Sequence, residues 1–187
     1  MSLPASQQQL EAERKLVEAA RTSPLAFGEL YERYVDQIYS YAYNRVGDRT
    51  VAEDIVAETF HRALEHIRQF EWRGVAFSAW LYRIAGNAIA ARYRREPALA
   101  REEDLDTVLE AEPGPELVLT ELEWKAELLA AVRALPPEQQ QVVLLRFGQE
   151  LRNKEIARIM ERSEGAVKAL LHRALIALQR RLASAGE

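Results

Sequence analysis

Trp72 to Arg95 holds five arginines, five aromatics (Trp72, Phe77, Trp80, Tyr82, Tyr93) and no acidic residue in 24 positions. Arg83, Asn87 and Arg94 lie at steps of four and seven, which sets an amide between two cations on one helix face. A cationic, amide-bearing face beside a Trp-containing loop suits a phosphate backbone whose bases can leave the stack. A second cationic run follows near the C-terminus: from Gly165 to Leu182 the chain carries Lys168, Arg173, Arg180 and Arg181 and no acid. The plain alternative for each run is a core helix with solvated charges.

The elements that must position these residues are helical. Phe77, Trp80, Leu81, Ile84, Ala85, Ala88 and Ile89 recur at i, i+3, i+4, i+7 and onward, one apolar stripe on an amphipathic helix. Near the C-terminus, Ile156, Ala157, Ile159 and Met160 form the inner side of a short helix, and Glu161-Arg162-Ser163 makes a turn. Val167, Leu170, Leu171, Ala174, Leu175 and Leu178 give the following helix its stripe. This is a helix-turn-helix pattern, in which the start of the second helix enters the major groove. Ser163 can cap that helix, and small Ala157 and Gly165 would permit a close crossing. Asn153 is the candidate cap of the first helix, where Arg152 stands.

Upstream, Ser23-Pro24 starts a helix running to about Val46. Gly47-Asp48 stops it and restarts the chain, with Asp48 or Thr50 as the next cap, and the new helix runs to about Arg68. A loop from Gln69 to Ala76 leads into the basic-aromatic helix. Residues 1–22 read as a polar or weakly helical lead-in, not assigned a fixed fold. Pro97 and Pro113-Gly114-Pro115 mark a connector over 96–117, after which helical periodicity resumes, with Leu135-Pro136-Pro137 marking a further start. No strand pattern survives, since VVLLRF sits within helical periodicity.

Net charge is −4, yet ten acidic residues and a single basic one lie between Glu96 and Glu123, so that segment carries −9 and the remainder +5. Two basic modules flanking an acidic connector follow from this asymmetry. The chain has no cysteine, which excludes disulfides, thiolate metal sites and cysteine nucleophiles. No membrane insertion is expected, because no apolar run reaches spanning length, and the N-terminus lacks the apolar core of a signal peptide; a cytoplasmic protein is expected. Glu58 and His61 have the E-x-x-H spacing of di-iron bundles, but such a site needs a second copy, and Ala169 stands three residues before His172. No enzyme and no cofactor are expected.

Four blocks occur in one order: FGELYERYVDQIYSYAYNRVGDRTVAEDIVAETFHRAL, FSAWLYRIAGNAIAARYRRE, LPPEQQQVVLLRF and NKEIARIMERSEGAVKALLHRALIALQRRL. Together they resemble an extracytoplasmic-function sigma factor of the bacterial sigma-70 family, over about Leu25 to Leu182. The resemblance implies an all-α fold of two small helical domains, 23–95 and 118–187, joined by an acidic flexible linker, the second containing the helix-turn-helix. It implies that Glu53, Asp54, Glu58, Thr59 and Phe60 dock on bacterial core RNA polymerase; Ala57 replaces a Gln common in the family. Trp72, Arg73, Arg83, Asn87, Arg92, Arg94 and Arg95 would engage the minus-ten promoter region, with Asn87 helping to read a flipped base and the arginines holding phosphates. Glu164, Gly165, Lys168, His172 and Arg173 would face the minus-thirty-five element. Ala169 and Leu170 replace polar residues common there, which shifts weight towards backbone contacts and DNA shape.

The implied function is transcription initiation on promoter DNA together with polymerase, and the resemblance leaves room for an anti-sigma protein as a further partner. By the same resemblance the acidic linker would thread the polymerase's RNA channel, whereas by composition alone it is a tether. The rival reading is a helix-turn-helix regulator that binds duplex DNA without polymerase, which usually presents a dimerisation surface.

Overall fold

A computed structural model describes residues 5–72, 76–95 and 116–185, and every regular element among them is helical. Most of the expected linker, 96–115, lies outside the described residues. None of the described helices is long and apolar enough to cross a membrane.

The first unit is built from α1 (Ala5–Ala20), α2 (Pro24–Val46), α3 (Arg49–His66) and α4 (Phe77–Arg95). The α2 start is capped by Ser23, whose hydroxyl accepts from the Ala26 amide at 3.3 Å, with Pro24 in the first turn. At the far end Gly47 adopts φ 77° and its N–H returns to the Tyr43 carbonyl at 2.8 Å. This is the left-handed stop that a side chain would strain. Of the two candidate caps for α3, Asp48 is the one used: its carboxylate accepts from the Val51 amide at 2.8 Å. A single 3-10 turn, Ile67–Gln69, ends the helix pair.

The stretch expected as a polar or weakly helical lead-in is a full helix packed mainly on α2. Glu13, Leu16, Val17 and Ala20 lie at i, i+3, i+4 and i+7, and Glu13, Val17 and Ala20 are buried. A glutamate within the stripe had broken its apolar pattern.

The second unit comprises α5 (Glu116–Arg133), α6 (Pro137–Val143), α7 (Asn153–Ile159) and α8 (Glu164–Ala185). After α6 one wide π-type turn, Leu144–Gly148, closes with the Gln149 N–H on the Leu144 carbonyl at 3.0 Å. α8 is the central element, packed against α5, α6 and α7. Between α7 and α8 the chain reverses at Glu161, a non-glycine residue at φ 53°, and the Arg162 N–H reaches back to the Ala157 carbonyl at 2.9 Å. Ser163 caps α8 as expected, accepting from the Ala166 amide at 3.2 Å.

Two local expectations fail. Asn153 does not cap α7: the Glu155 carboxylate accepts from the Arg152 amide at 2.8 Å instead, and Asn153 Oδ1 is buried without a hydrogen-bond partner among the described residues. Gly165 is not needed for the helix crossing, because a Cβ there would meet nothing closer than Ser163 Oγ at 3.9 Å. Ala157 is the small residue buried at that crossing.

The Asp48 cap supplies a direct test of this framework. Asp48→Ala is expected to lower stability by about 1 kcal/mol, read as a lower urea midpoint with an unchanged slope.

Candidate nucleic-acid interface

Helix α4 is buried on two sides. Phe77, Leu81, Ala85, Ala88 and Ile89 face the first unit's core, as the periodicity required, whereas Trp80 and Ile84 are half-buried. Tyr82 and Gly86 are also buried, on a side that the apolar stripe did not include. The second unit covers that side. The Tyr82 hydroxyl donates to Gln149 Oε1 at 2.5 Å, and burial raises the phenol's pKa above its ordinary 10.0, so it stays a donor. A Cβ on Gly86 would lie 2.9 Å from Gln141 Nε2.

The narrow arc left over carries the predicted residues. Arg83, Asn87 and Arg94 share it; Asn87 and Arg94 are exposed and Arg83 is half-buried. Arg83 and Asn87 front a cleft of about 210 Å³ whose opposite wall is formed by α6 and by the end of α7, including Glu138, Met160 and Glu161. Across it Arg83 pairs with Glu161 at 3.0 Å. Arg95 is exposed near the helix end. Arg92 does not share this arc: it turns towards α3 and pairs with Asp54 at 3.2 Å. Trp72 is half-buried against the Phe70 ring, 6.3 Å between centroids. Arg73 lies outside the described residues.

On α3, Glu53 and Asp54 are exposed and Glu58 is half-exposed, each matched by a cation: Arg49 with Glu53 at 3.1 Å, Arg62 with Glu58 at 2.5 Å, and Arg92 with Asp54. Thr59 and Phe60, expected in the same docking contact, are buried in the chain on its own. Thr59 is fully buried with its hydroxyl on the Ile55 carbonyl at 2.6 Å, and Phe60 packs edge-on against Tyr31 at 4.8 Å. His61 pairs with Glu65 at 3.6 Å rather than with Glu58. On α8, Glu164, Gly165, Lys168, His172 and Arg173 are all exposed.

The residues that join the two units carried no signal in the cationic patterns. Arg45, 3 % exposed, donates to Gln140 Oε1 at 3.3 Å, to the Tyr41 hydroxyl at 3.1 Å and to the Pro137 carbonyl at 3.4 Å. Gln140, equally buried, returns a bond from Nε2 to the Arg45 carbonyl at 3.0 Å. From α5, Arg133 donates to the Asn44 carbonyl at 3.4 Å and lies over the Tyr43 ring at 5.5 Å. Gly86 was the one legible member, since a glycine within a helix costs about 1 kcal/mol and asks for a packing reason.

Removing Gln140 should loosen this junction. Gln140→Leu leaves the Arg45 guanidinium short of an acceptor and should weaken the closed arrangement by about 1–3 kcal/mol. The expected readout is a larger radius of gyration in solution scattering; an unchanged value would remove Gln140 from the junction.

Comparison with known proteins matches both units. Residues 30–97 match Sigma-70 region 2, and residues 125–178 match Sigma-70, region 4. The chain is 44% identical over 174 residues to the ECF RNA polymerase sigma factor BldN of Streptomyces coelicolor, covering 90% of this chain and 65% of that protein. It is 33% identical over 172 residues to the ECF RNA polymerase sigma factor SigW of Bacillus subtilis, covering 84% of this chain and 89% of that protein. The fold is similar to that of CnrH, solved in complex with the cytosolic domain of CnrY, with a TM-score of 0.70 at 24% identity over 92% of this chain and 98% of that one. With both sigma regions matched in order along one helical chain, this protein belongs to the extracytoplasmic-function sigma factors of the sigma-70 family.

Proposed function

We propose that the chain is a transcription initiation factor that binds bacterial core RNA polymerase, directs it to a set of promoters and assists strand separation there. The observation that carries this reading is α4, buried along two sides, with Arg83, Asn87 and Arg94 confined to one outward arc. Arginines on that arc and at Arg95 hold strand phosphates, Asn87 reads an unstacked base, and Trp72 stands at the edge where the base leaves the duplex, with Arg73 assigned to the same region by resemblance alone. Arg92 contributes to this surface only by giving up Asp54. Glu53, Asp54 and Glu58 meet a basic polymerase surface, with Thr59 and Phe60 holding the helix in place from inside. On α8, Lys168, His172 and Arg173, with Glu164 and Gly165 at the helix start, approach the upstream duplex.

In the closed arrangement Arg83 and Asn87 front the cleft to the second unit and Arg83 is paired across it with Glu161, so this part of the arc is not fully open to a DNA strand. Polymerase engagement separates the two units. This favours a polymerase-dependent factor over a self-sufficient regulator, which would use its open α8 face alone. In this reading catalysis belongs to the polymerase and the chain works in the cytoplasm. An anti-sigma protein is a third partner; the Bartonella quintana sigma factor RpoE, similar in fold, was solved with the anti-sigma factor NepR bound.

The decisive test is selection of genomic DNA fragments by the chain with and without core polymerase. Selection and opening only with polymerase are expected; equally tight selective binding by the chain alone would establish the autonomous regulator instead. On a selected promoter, Asn87→Ala should reduce open-complex formation on the order of tenfold, the loss of about one well-placed contact. Polymerase affinity should change little, and parallel loss of both would reject the role given to Asn87. Lys168→Ala and Arg173→Ala should each weaken upstream duplex binding and lower the salt slope by about one; unchanged binding would remove them from the reader.

A further inference from the structure

Helix α4 begins without a cap of its own. Its first amide belongs to Phe77, and the residue before it, Ala76, has no side-chain acceptor. The first amides of a helix are unpaired donors, and a carboxylate is the acceptor they favour most. Here the acceptor comes from another helix. Glu13, 6 % exposed on α1, accepts the Phe77 N–H at 2.7 Å and also accepts the Tyr34 hydroxyl. Burial, reinforced by the bond to Glu13 and its charge, raises the Tyr34 pKa well above its ordinary value, which keeps the hydroxyl a donor.

The other foot of the same loop is held from the end of α1. Arg21 donates to the Phe70 carbonyl at 2.7 Å and is oriented by Glu18 at 3.2 Å, while Arg68 donates to the Arg21 carbonyl at 3.2 Å. The Phe70 ring meets Trp80 at 4.9 Å and Phe77 at 5.4 Å, and carries Trp72 against its edge. Both ends of the segment from Phe70 to Phe77 are therefore tied to α1 and the turn after it, through one buried carboxylate and one guanidinium.

We infer that Glu13 is a positioning residue for strand opening: from α1 it fixes the start of α4, and so the loop bearing Trp72 and the arc bearing Arg83 and Asn87. The inference rests on the promoter-opening reading above. A buried glutamate is costly to keep in a helix whose neighbours Val17 and Ala20 are apolar. Its two bonds lead to the loop and to α2, and neither serves α1 itself. The N-terminal segment is then part of the opening device and more than a packing helix.

The test compares Glu13→Met, which keeps the length but removes both acceptors, with Glu13→Gln, which retains an acceptor for Phe77. The full chain is used with core polymerase on a promoter that the wild-type chain selects. For Glu13→Met, polymerase affinity and closed-complex formation should stay within about twofold. Permanganate reactivity of unpaired thymines should fall on the order of tenfold, the effect of about one hydrogen bond on a positioned group. Glu13→Gln should recover most of that loss. In the free chain, amide hydrogen exchange at Phe77 should quicken in Glu13→Met and not in Glu13→Gln.

Should Glu13→Met fold poorly, Arg21→Met, at a more exposed position, loosens the other foot and should give the same selective loss of opening. Opening at the wild-type level in the Met variants, or loss of opening and polymerase binding in equal proportion, would overturn the inference. If the wild-type chain opens no promoter with polymerase, the promoter reading itself fails. Phe77 exchange alone then decides whether Glu13 holds the loop.

Discussion

Burial of α4 on two sides is the constraint on which the rest of this structure depends. Phe77, Leu81 and Ile89 are fully enclosed, and Tyr82 stacks edge-on with Tyr41 at 5.2 Å. Each such side chain contributes about 1.5–3 kcal/mol by leaving water, so the helix cannot rotate to present another face. On α4 itself the cations lie only where solvent remains. The position of Arg83, Asn87 and Arg94 is thus decided by packing, and their chemistry is displayed along a fixed line.

Much of this was legible in the residues. The spacing from Phe77 to Ile89, the Ser23-Pro24 and Gly47-Asp48 signals and the turn at Glu161–Ser163 all carry local physics, and the structure follows them. What escaped was non-local. Glu13 interrupts an apolar stripe, so α1 read as a polar or weakly helical lead-in; its acceptor role exists only once Phe77 is brought beside it from 64 positions away. Arg45 and Gln140, 95 positions apart, meet only in the folded chain. Thr59 and Phe60, which the resemblance assigns to docking, are buried in the chain on its own. For Asn153, the competition for the first turn of α7 was won by Glu155, whose reach back to the preceding amide satisfies the donor that an Asn cap would have left open.

The junction between the two units carries a buried polar cluster beside its apolar contacts, which sets how it can behave. Among the described residues no carboxylate pairs with buried Arg45: its charge is met by the Tyr41 hydroxyl, Gln140 Oε1 and the Pro137 carbonyl, a shell of dipoles. Such a shell stands in for water. When the units part, water can take its place, and the loss is smaller than for a broken ion pair left dry. An apolar junction of the same extent would hold the units together permanently; inter-domain contacts of this polar kind are compatible with relative motion.

The charged pairs point in the same direction. Arg83–Glu161 crosses the cleft, Arg92–Asp54 joins α4 to α3, and Arg49–Glu53 and Arg62–Glu58 lie along α3, all with substantially exposed members. Exposed pairs of this sort contribute about 0–1 kcal/mol each. They are enough to neutralise the acidic and basic faces while the chain is alone, and too weak to withhold them from a partner of opposite charge. A basic surface can displace Arg49 and Arg62, and a phosphate can displace Glu161, each exchanging one screened contact for another. A partner moves an equilibrium only by its differential affinity for the two states. Here dipoles and exposed pairs are part of what holds the closed state, and they are the part that a charged partner can exchange. The same residues that keep the faces covered thereby make them available on demand.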